Sequence, residues 1–97
     1  MTLKVRVSRL ATKDLDEIWF FIAQDNLAAA DKFVNSLTDS FQPLTSFPRL
    51  GRNREDLGPD LRSFPVKNCL VVYRLHKGSI EIVRVLQGGR DVKALFK

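Results

Sequence analysis

One cysteine and one histidine leave this 97-residue chain little with which to do nucleophilic or metal chemistry. Cys69 alone cannot build a disulfide framework or a zinc site within one chain. It stands inside an apolar run, where a thiol serves as a small buried hydrophobe and suits a reducing compartment. His76 falls in an expected turn, where an imidazole is solvated. No Ser-His-Asp or Cys-His set can be assembled, and metal-ligand spacing is absent. Gly88-Gly89 lacks the spaced glycines, lysine and hydroxyl of a phosphate-cradling loop. Carboxylates paired on a strand face are missing too, which disfavours an ordinary acid–base hydrolase. No apolar run approaches the roughly 20 residues of a membrane span. The first ten residues, MTLKVRVSRL, carry charges within their short apolar stretch, so no signal peptide is expected.

What the chain does have is an ordinary globular balance, 44% apolar and 28% charged, and a length that predicts one domain over 1–97. Its net charge of +5 is unevenly placed. Residues 1–48 hold five Lys/Arg and six Asp/Glu, a balance of −1; residues 49–97 hold eleven and five, a balance of +6. The excess of positive charge in the second half favours an acidic partner, nucleic acid or an acidic protein segment.

Hydrophobic periodicity divides the chain. Leu3, Val5 and Val7 alternate with Lys4, Arg6 and Ser8, as in a half-buried edge strand. Over 11–24 the period changes: Leu15, Ile18, Trp19 and Ile22 form one helical stripe, with Ser8 or Thr12 as cap. Phe20 and Phe21 fall off that stripe. Either other elements cover them or they face a partner. After the break at Gln24-Asp25-Asn26, a second stripe over 27–44 runs through Leu27, Ala30, Phe33, Val34, Leu37, Phe41 and Leu44, and Pro43 kinks or ends it. Two amphipathic helices with so short a link form an antiparallel hairpin.

Residues 45–60 have no clear period and read as a long loop carrying Arg49, Arg52 and Arg54. Arg54 is expected to pair with Glu55 or Asp56, and Arg49 and Arg52 to contact a partner. Three strand-like runs follow. Leu61–Pro65 is an edge or an end because of its proline. Cys69–Leu75 and Ile80–Leu86 are apolar on both faces and joined by a hairpin turn at 76–79, which makes Ile80–Leu86 a central strand. Strict alternation places Arg84 on the face of Ile80, Ile82 and Leu86. An arginine there needs an internal ion pair, with the surroundings of Glu81 or with Asp91, or else a ligand. Arg90-Asp91 reads as a self-pairing turn that locks a short tail. The fold class expected is α+β: an N-terminal strand, an antiparallel helical hairpin, then a three-stranded antiparallel meander.

Several short motifs occur in a telling order: Ala11, Asp14, Leu15 and Ile18; Ala28 to Ala30 with Phe33; Phe47, Pro48, Gly51 and Arg52; Leu61, Arg62, Ser63, Pro65 and Val66; Val71 to Arg74; and Ile80 to Asp91. In this order and spacing the chain resembles the ParE branch of the ParE/RelE superfamily of bacterial toxin–antitoxin toxins. The resemblance implies the same layout of strand, hairpin and meander. It implies a cytoplasmic toxin restrained in a hetero-oligomer by a cognate antitoxin, whose acidic, partly disordered tail folds onto it. It implies DNA gyrase as the target. Neither cofactor, metal nor membrane is implied. Phe20, Phe21, Arg49, Arg52, Arg62, Arg74, Arg84 and Arg90 are the expected contacts to antitoxin or target.

RelE-like relatives cut messenger RNA on the ribosome, with arginines, lysines and a C-terminal tyrosine or histidine. A ribonuclease built from Arg52, Arg62, Arg74 and Arg84 is therefore the alternative, and a non-toxic antitoxin-binding homologue is another. This chain ends Ala94-Leu95-Phe96-Lys97, its only tyrosine is Tyr73, and Gln87 stands where many relatives have histidine. Glutamine exchanges no proton near neutral pH. These departures favour binding over catalysis, with no catalytic residue expected.

Overall fold

The computed structural model describes residues 3–88 and 91–96. Strand β1 (Lys4–Val7) leads directly into helix α1 (Arg9–Ala23), and α2 (Leu27–Asp39) completes the hairpin. A 3-10 helix, Gln42–Thr45, ends in the loop that holds the two-residue strand β2 (Arg52–Asn53). Then come β3 (Leu61–Val66), β4 (Cys69–His76), β5 (Ser79–Gln87) and a single helical turn, α3 (Val92–Leu95).

The meander is present as β3, β4 and β5, each antiparallel to the next. It is enlarged at both edges into a five-stranded sheet of order β1-β5-β4-β3-β2. β1 joins parallel to β5, with Val5 opposite Ile80 and Val7 opposite Ile82. β2, which the expected loop concealed, pairs with Arg62 and Ser63 of β3. Pro65 is tolerated inside β3 because β2 ends short of it, so its missing donor leaves no ladder bond unmade on that edge.

The helix boundaries follow their caps. Ser8 caps α1, its Oγ accepting from the Ala11 amide at 3.0 Å, and Asn26 caps α2 through the Ala29 amide at 3.0 Å. The second stripe does not continue as one α-helix to residue 44. α2 stops at Asp39, and Pro43 starts a new tighter turn where its lack of an N–H costs nothing. Phe41 and Leu44 still reach the core, because the 3-10 turn redirects the chain without leaving the sheet.

The hairpin lays Ala11, Leu15, Ile18 and Leu37, and the 3-10 turn Phe41 and Leu44, on Cys69, Val71, Tyr73, Ile80, Ile82 and Val85. At roughly 1.5–3 kcal/mol for each large apolar side chain, this layer is the main source of stability. The other face of the sheet holds a smaller cluster of Leu57, Leu61 and Val72, with Val83, Val92 and Phe96 against it. Both faces of β4 and β5 are thus covered, as their unbroken apolar runs require.

One irregularity changes the reading of β5. The β4–β5 register passes from Tyr73 opposite Ile82 to Val72 opposite Arg84, so Val83 is an extra residue in a bulge. Alternation fails there. Arg84, opposite Val72, and Leu86, opposite Leu70, leave the face of Ile80 and Ile82; Val85, opposite Val71, takes the next place in the helix-side core instead.

Candidate functional site

The bulge brings Arg84 to α1. Its Nε donates to Asp14 Oδ2 at 2.8 Å and its Nη2 to Oδ1 at 2.9 Å. The Val85 amide donates to the same carboxylate at 3.0 Å. Neither expected partner, Glu81 or Asp91, is used. The fork is bidentate and both side chains are largely buried, so the carboxylate is well satisfied. The hydrogen bond to Asp14 holds the Arg84 guanidinium in its charged form, raising a pKa already high. Nearby, the Ser8 hydroxyl donates to Val83 O at 2.9 Å and the Ser8 amide to Ile82 O at 3.0 Å. Arg84 therefore fastens α1 to β5 where β1 has ended, and it does not point to a ligand.

The other sheet arginines hold the loop. Arg62 donates from Nε to Gly51 O at 2.8 Å and from Nη2 to Arg49 O at 3.4 Å. Arg74 Nε donates to Pro59 O at 3.2 Å. Arg54 forks onto Asp56 at 3.0 and 3.1 Å, and its hydrogen bond holds the Asp56 carboxyl below the usual carboxylate range. Between them stands Tyr73, completely buried, whose hydroxyl donates to Pro48 O and accepts from the Gly51 amide, both at 2.8 Å. Gly51 is required by this approach. A Cβ there would meet Tyr73 Cε1 at 2.7 Å and Ser63 O at 2.9 Å.

With these groups committed, two groups of exposed large apolar side chains stand out among the described residues, apart from Val7, Leu10 and Leu95. The first is the tip of the hairpin, where Phe20, Phe21 and Leu27 are 65%, 68% and 63% exposed. Among the described residues, Trp19 alone stacks against one of the two phenylalanines, and both stay largely exposed. Trp19 beside them is anchored through Nε1 to Asp31 Oδ1 at 2.8 Å and meets the Phe20 ring edge-on, centroids 5.4 Å apart. The second surface is the clamped turn itself. Phe47 and Leu50 are 66% and 58% exposed, over an open cleft of about 390 Å³ lined by Ser46 to Leu50. Arg49 and Arg52 are exposed beside them, and neither side chain is in an ion pair among the described residues.

The expected contact residues therefore separate into groups. Phe20 and Phe21 lie together at one end of the hairpin, and Arg49 and Arg52 lie near the loop. Arg62, Arg74 and Arg84 are held by partners inside the chain. Arg90 lies outside the described residues, and so does its pairing with Asp91; Asp91 itself caps α3 through the Ala94 amide at 3.3 Å. His76 meets Glu81 at 2.8 Å in the open β4–β5 hairpin. Cys69 is buried, which pushes its thiol pKa up. Among the described residues no group of His, Cys, Asp or Glu could hold a metal ion, and no helix is long and apolar enough to cross a membrane.

Three features of this turn carry little signal in the sequence: the exposure of Phe47 and of Leu50, and Tyr73 as their support. A mid-strand tyrosine needs a partner for its hydroxyl when buried, and that was the available signal.

Residues 5–92 match the family described as ParE toxin of type II toxin–antitoxin system, parDE. Toxin ParE3 of Caulobacter vibrioides is 38% identical over 88 residues, which are 90% of this chain and 88% of that protein. Toxin ParE1 of the same organism is 29% identical over 90 residues, 92% and 93% of the two chains. Among solved structures, a chain of the chromosomal ParDE system from P. aeruginosa shares the fold with a TM-score of 0.76 at 21% identity, covering 90% of this chain and 97% of its own. A chain of the RelBE2 toxin–antitoxin complex from Mycobacterium tuberculosis superposes less closely, with a TM-score of 0.58 at 25% identity over 90% and 99% of the two chains. A strand leading into a helical hairpin, a sheet fastened by Asp14 and Arg84, and a match along almost the whole sequence lead to one conclusion: this chain belongs to the ParE toxin family of type II toxin–antitoxin systems.

Proposed function

We propose that this protein is a cytoplasmic toxin that inhibits DNA gyrase by protein contact and is neutralised by a cognate antitoxin. The observation that carries the binding mode is how the arginines are spent. A ribonuclease built from Arg52, Arg62, Arg74 and Arg84 would need them converging on a phosphate. Arg62, Arg74 and Arg84 instead donate to backbone carbonyls and to Asp14. Beside the exposed Phe47 and Leu50, Arg49 and Arg52 stay outside any ion pair among the described residues, and apolar surface with cations beside it is the composition of an interface.

The antitoxin is assigned to the hairpin tip. Phe20 and Phe21 are large rigid side chains at the exposed end of two helices, and a disordered segment that folds on binding would gain most by covering them. The target is assigned to the basic second half. Purified protein should stop gyrase supercoiling in vitro, and the purified antitoxin should restore it. Gyrase that works normally with excess toxin present would sink the proposal. Rapid cleavage of messengers at defined codons during expression would replace it by the ribonuclease reading.

A further inference from the structure

Surfaces that act on a target differ from surfaces that are merely covered by an inhibitor. The free toxin is the active species, so its target surface must be complete before anything binds. The turn Phe47–Gly51 meets that condition. The Tyr73 hydroxyl holds its two ends, at Pro48 O and the Gly51 amide, each at 2.8 Å. Arg62 holds Gly51 O and Arg49 O from the side. Four polar contacts, two of them from a fully buried tyrosine, thus hold a turn whose outward residues are Phe47 and Leu50. Fixing such a loop before binding removes most of the ordering cost that a flexible loop would add.

The chemistry of the turn specifies its occupant. Phe47 and Leu50 flank a shallow, open cleft of about 390 Å³, against which an apolar side chain can lie. Arg49 lies between them in sequence and Arg52 follows, both exposed and neither in an ion pair among the described residues. An apolar cleft lined in part by the exposed Arg49, with Arg52 following three residues on in β2, fits an acidic segment that carries a bulky apolar residue. The hairpin tip differs in both respects. It belongs to the half of the chain with a balance of −1, and it stands beyond α2, whose 13 residues span about 20 Å. Two partners can therefore hold the two surfaces at once.

We infer that the Tyr73-clamped turn, with Phe47, Arg49, Leu50 and Arg52, is a preformed docking surface for an acidic, apolar-anchored segment of the toxin's protein target, separate from the antitoxin surface. The inference rests on the toxin reading above.

Two measurements test it. The first uses purified toxin and a fluorescent dodecapeptide of Asp and Glu around a central Leu-Phe, with a Lys version as control. The acidic peptide binds, and binding weakens as salt rises from about 0.05 to about 0.3 M. Phe47→Ala with Leu50→Ala, and separately Arg49→Glu with Arg52→Glu, weaken it by about tenfold or more. Tyr73→Phe weakens it as well, although it alters no exposed atom. Lys32→Glu, an equal kind of charge change on the exposed face of α2, does not. Circular dichroism melts confirm that the variants fold. No binding by the wild type, or losses within twofold in both double variants, overturns the surface.

The second measurement identifies the source of the segment. On unopposed expression the Phe47→Ala, Leu50→Ala protein no longer arrests growth, yet it still co-purifies with the antitoxin. A variant that still arrests growth and escapes the antitoxin would show that the antitoxin occupies the turn, and would overturn the assignment to the target. A wild type that does not arrest growth would remove the toxin reading alone; the peptide measurement still decides the surface.

Discussion

The seam between α1 and β5 and the turn before β2 both depend on arginine, and they use it in opposite ways. In the seam, Arg84 is withdrawn from water and its charge is answered by Asp14 across 70 residues of sequence. In the turn, Arg62 works through its hydrogen bonds to carbonyls, while Arg49 and Arg52 keep their charges free in solvent. A cation on this sheet is available to a partner only where the chain supplies no carboxylate or carbonyl for it. Counting arginines on strands therefore overstates the binding surface, and tracing their partners removes Arg62, Arg74 and Arg84 from it.

The sharpest way to break the contrast is in the seam. Asp14→Ala leaves Arg84 and the Val85 amide without their acceptor in a largely buried place. It should cost about 3–5 kcal/mol in urea unfolding. Replacing both partners, Asp14→Leu with Arg84→Met, should cost much less, because no lone charge remains. Equal losses for the two proteins would mean that packing, and not the pair, holds α1 in place.

A smaller effect is expected in the turn. Tyr73→Phe removes the partner of the Gly51 amide and of Pro48 O, for a loss of about 1–3 kcal/mol by the same measurement. Gly51→Ala should cost at least as much, since the added methyl group would meet Tyr73 Cε1 at 2.7 Å.

Smaller again is the effect of Cys69. Burial raises its thiol pKa, so at pH 8 the folded protein holds less thiolate than the unfolded chain. Alkylation by iodoacetamide should be slow in buffer and fast in denaturant. Between the unfolded pKa of about 8.5 and the higher folded value, only the native state keeps this proton. Stability should therefore decline as the pH rises through that interval.

Least of all is the effect of Asp56, an exposed carboxylate lowered chiefly by its hydrogen bond from Arg54. A depressed carboxyl favours the folded state above its unfolded pKa, and the contribution is lost as pH falls below about 4. Because the group is exposed, the change should be visible by NMR titration and barely in stability. Arg54→Ala should bring the Asp56 midpoint back up. An unmoved midpoint would show that the fork does not persist in solution.

Much of the fold could be read from periodicity, for a physical reason. The helix stripe through Leu15 and Ile18 and the two-faced runs of β4 and β5 are local patterns, and local geometry dictates which side chains share a face. The bulge at Val83 was hidden because valine fits a regular strand as well as a bulged one. That one residue moved Arg84 from a suspected ligand site to an ion pair. Its partner was equally hidden: Asp14 reads as an ordinary acidic residue of an early helix turn until β5 is placed beside it. β2 escaped notice because two residues carry no period. Phe20 and Phe21 were legible as misfits on their helix, whereas Phe47 and Leu50 lay in a loop without a pattern to violate.

β1 has a single neighbour in the sheet, and it is the last strand of the chain. The residues of β1 thus wait for partners some 75 positions later in the sequence. A nascent polypeptide that has not reached Ser79 has no strand for β1 to join, and one that has not reached Arg84 has no cation for Asp14. Closure of so distant a pair is slow compared with local helix formation. Until β5 is in place, the hairpin and the loop lack the strand that sets them on one frame.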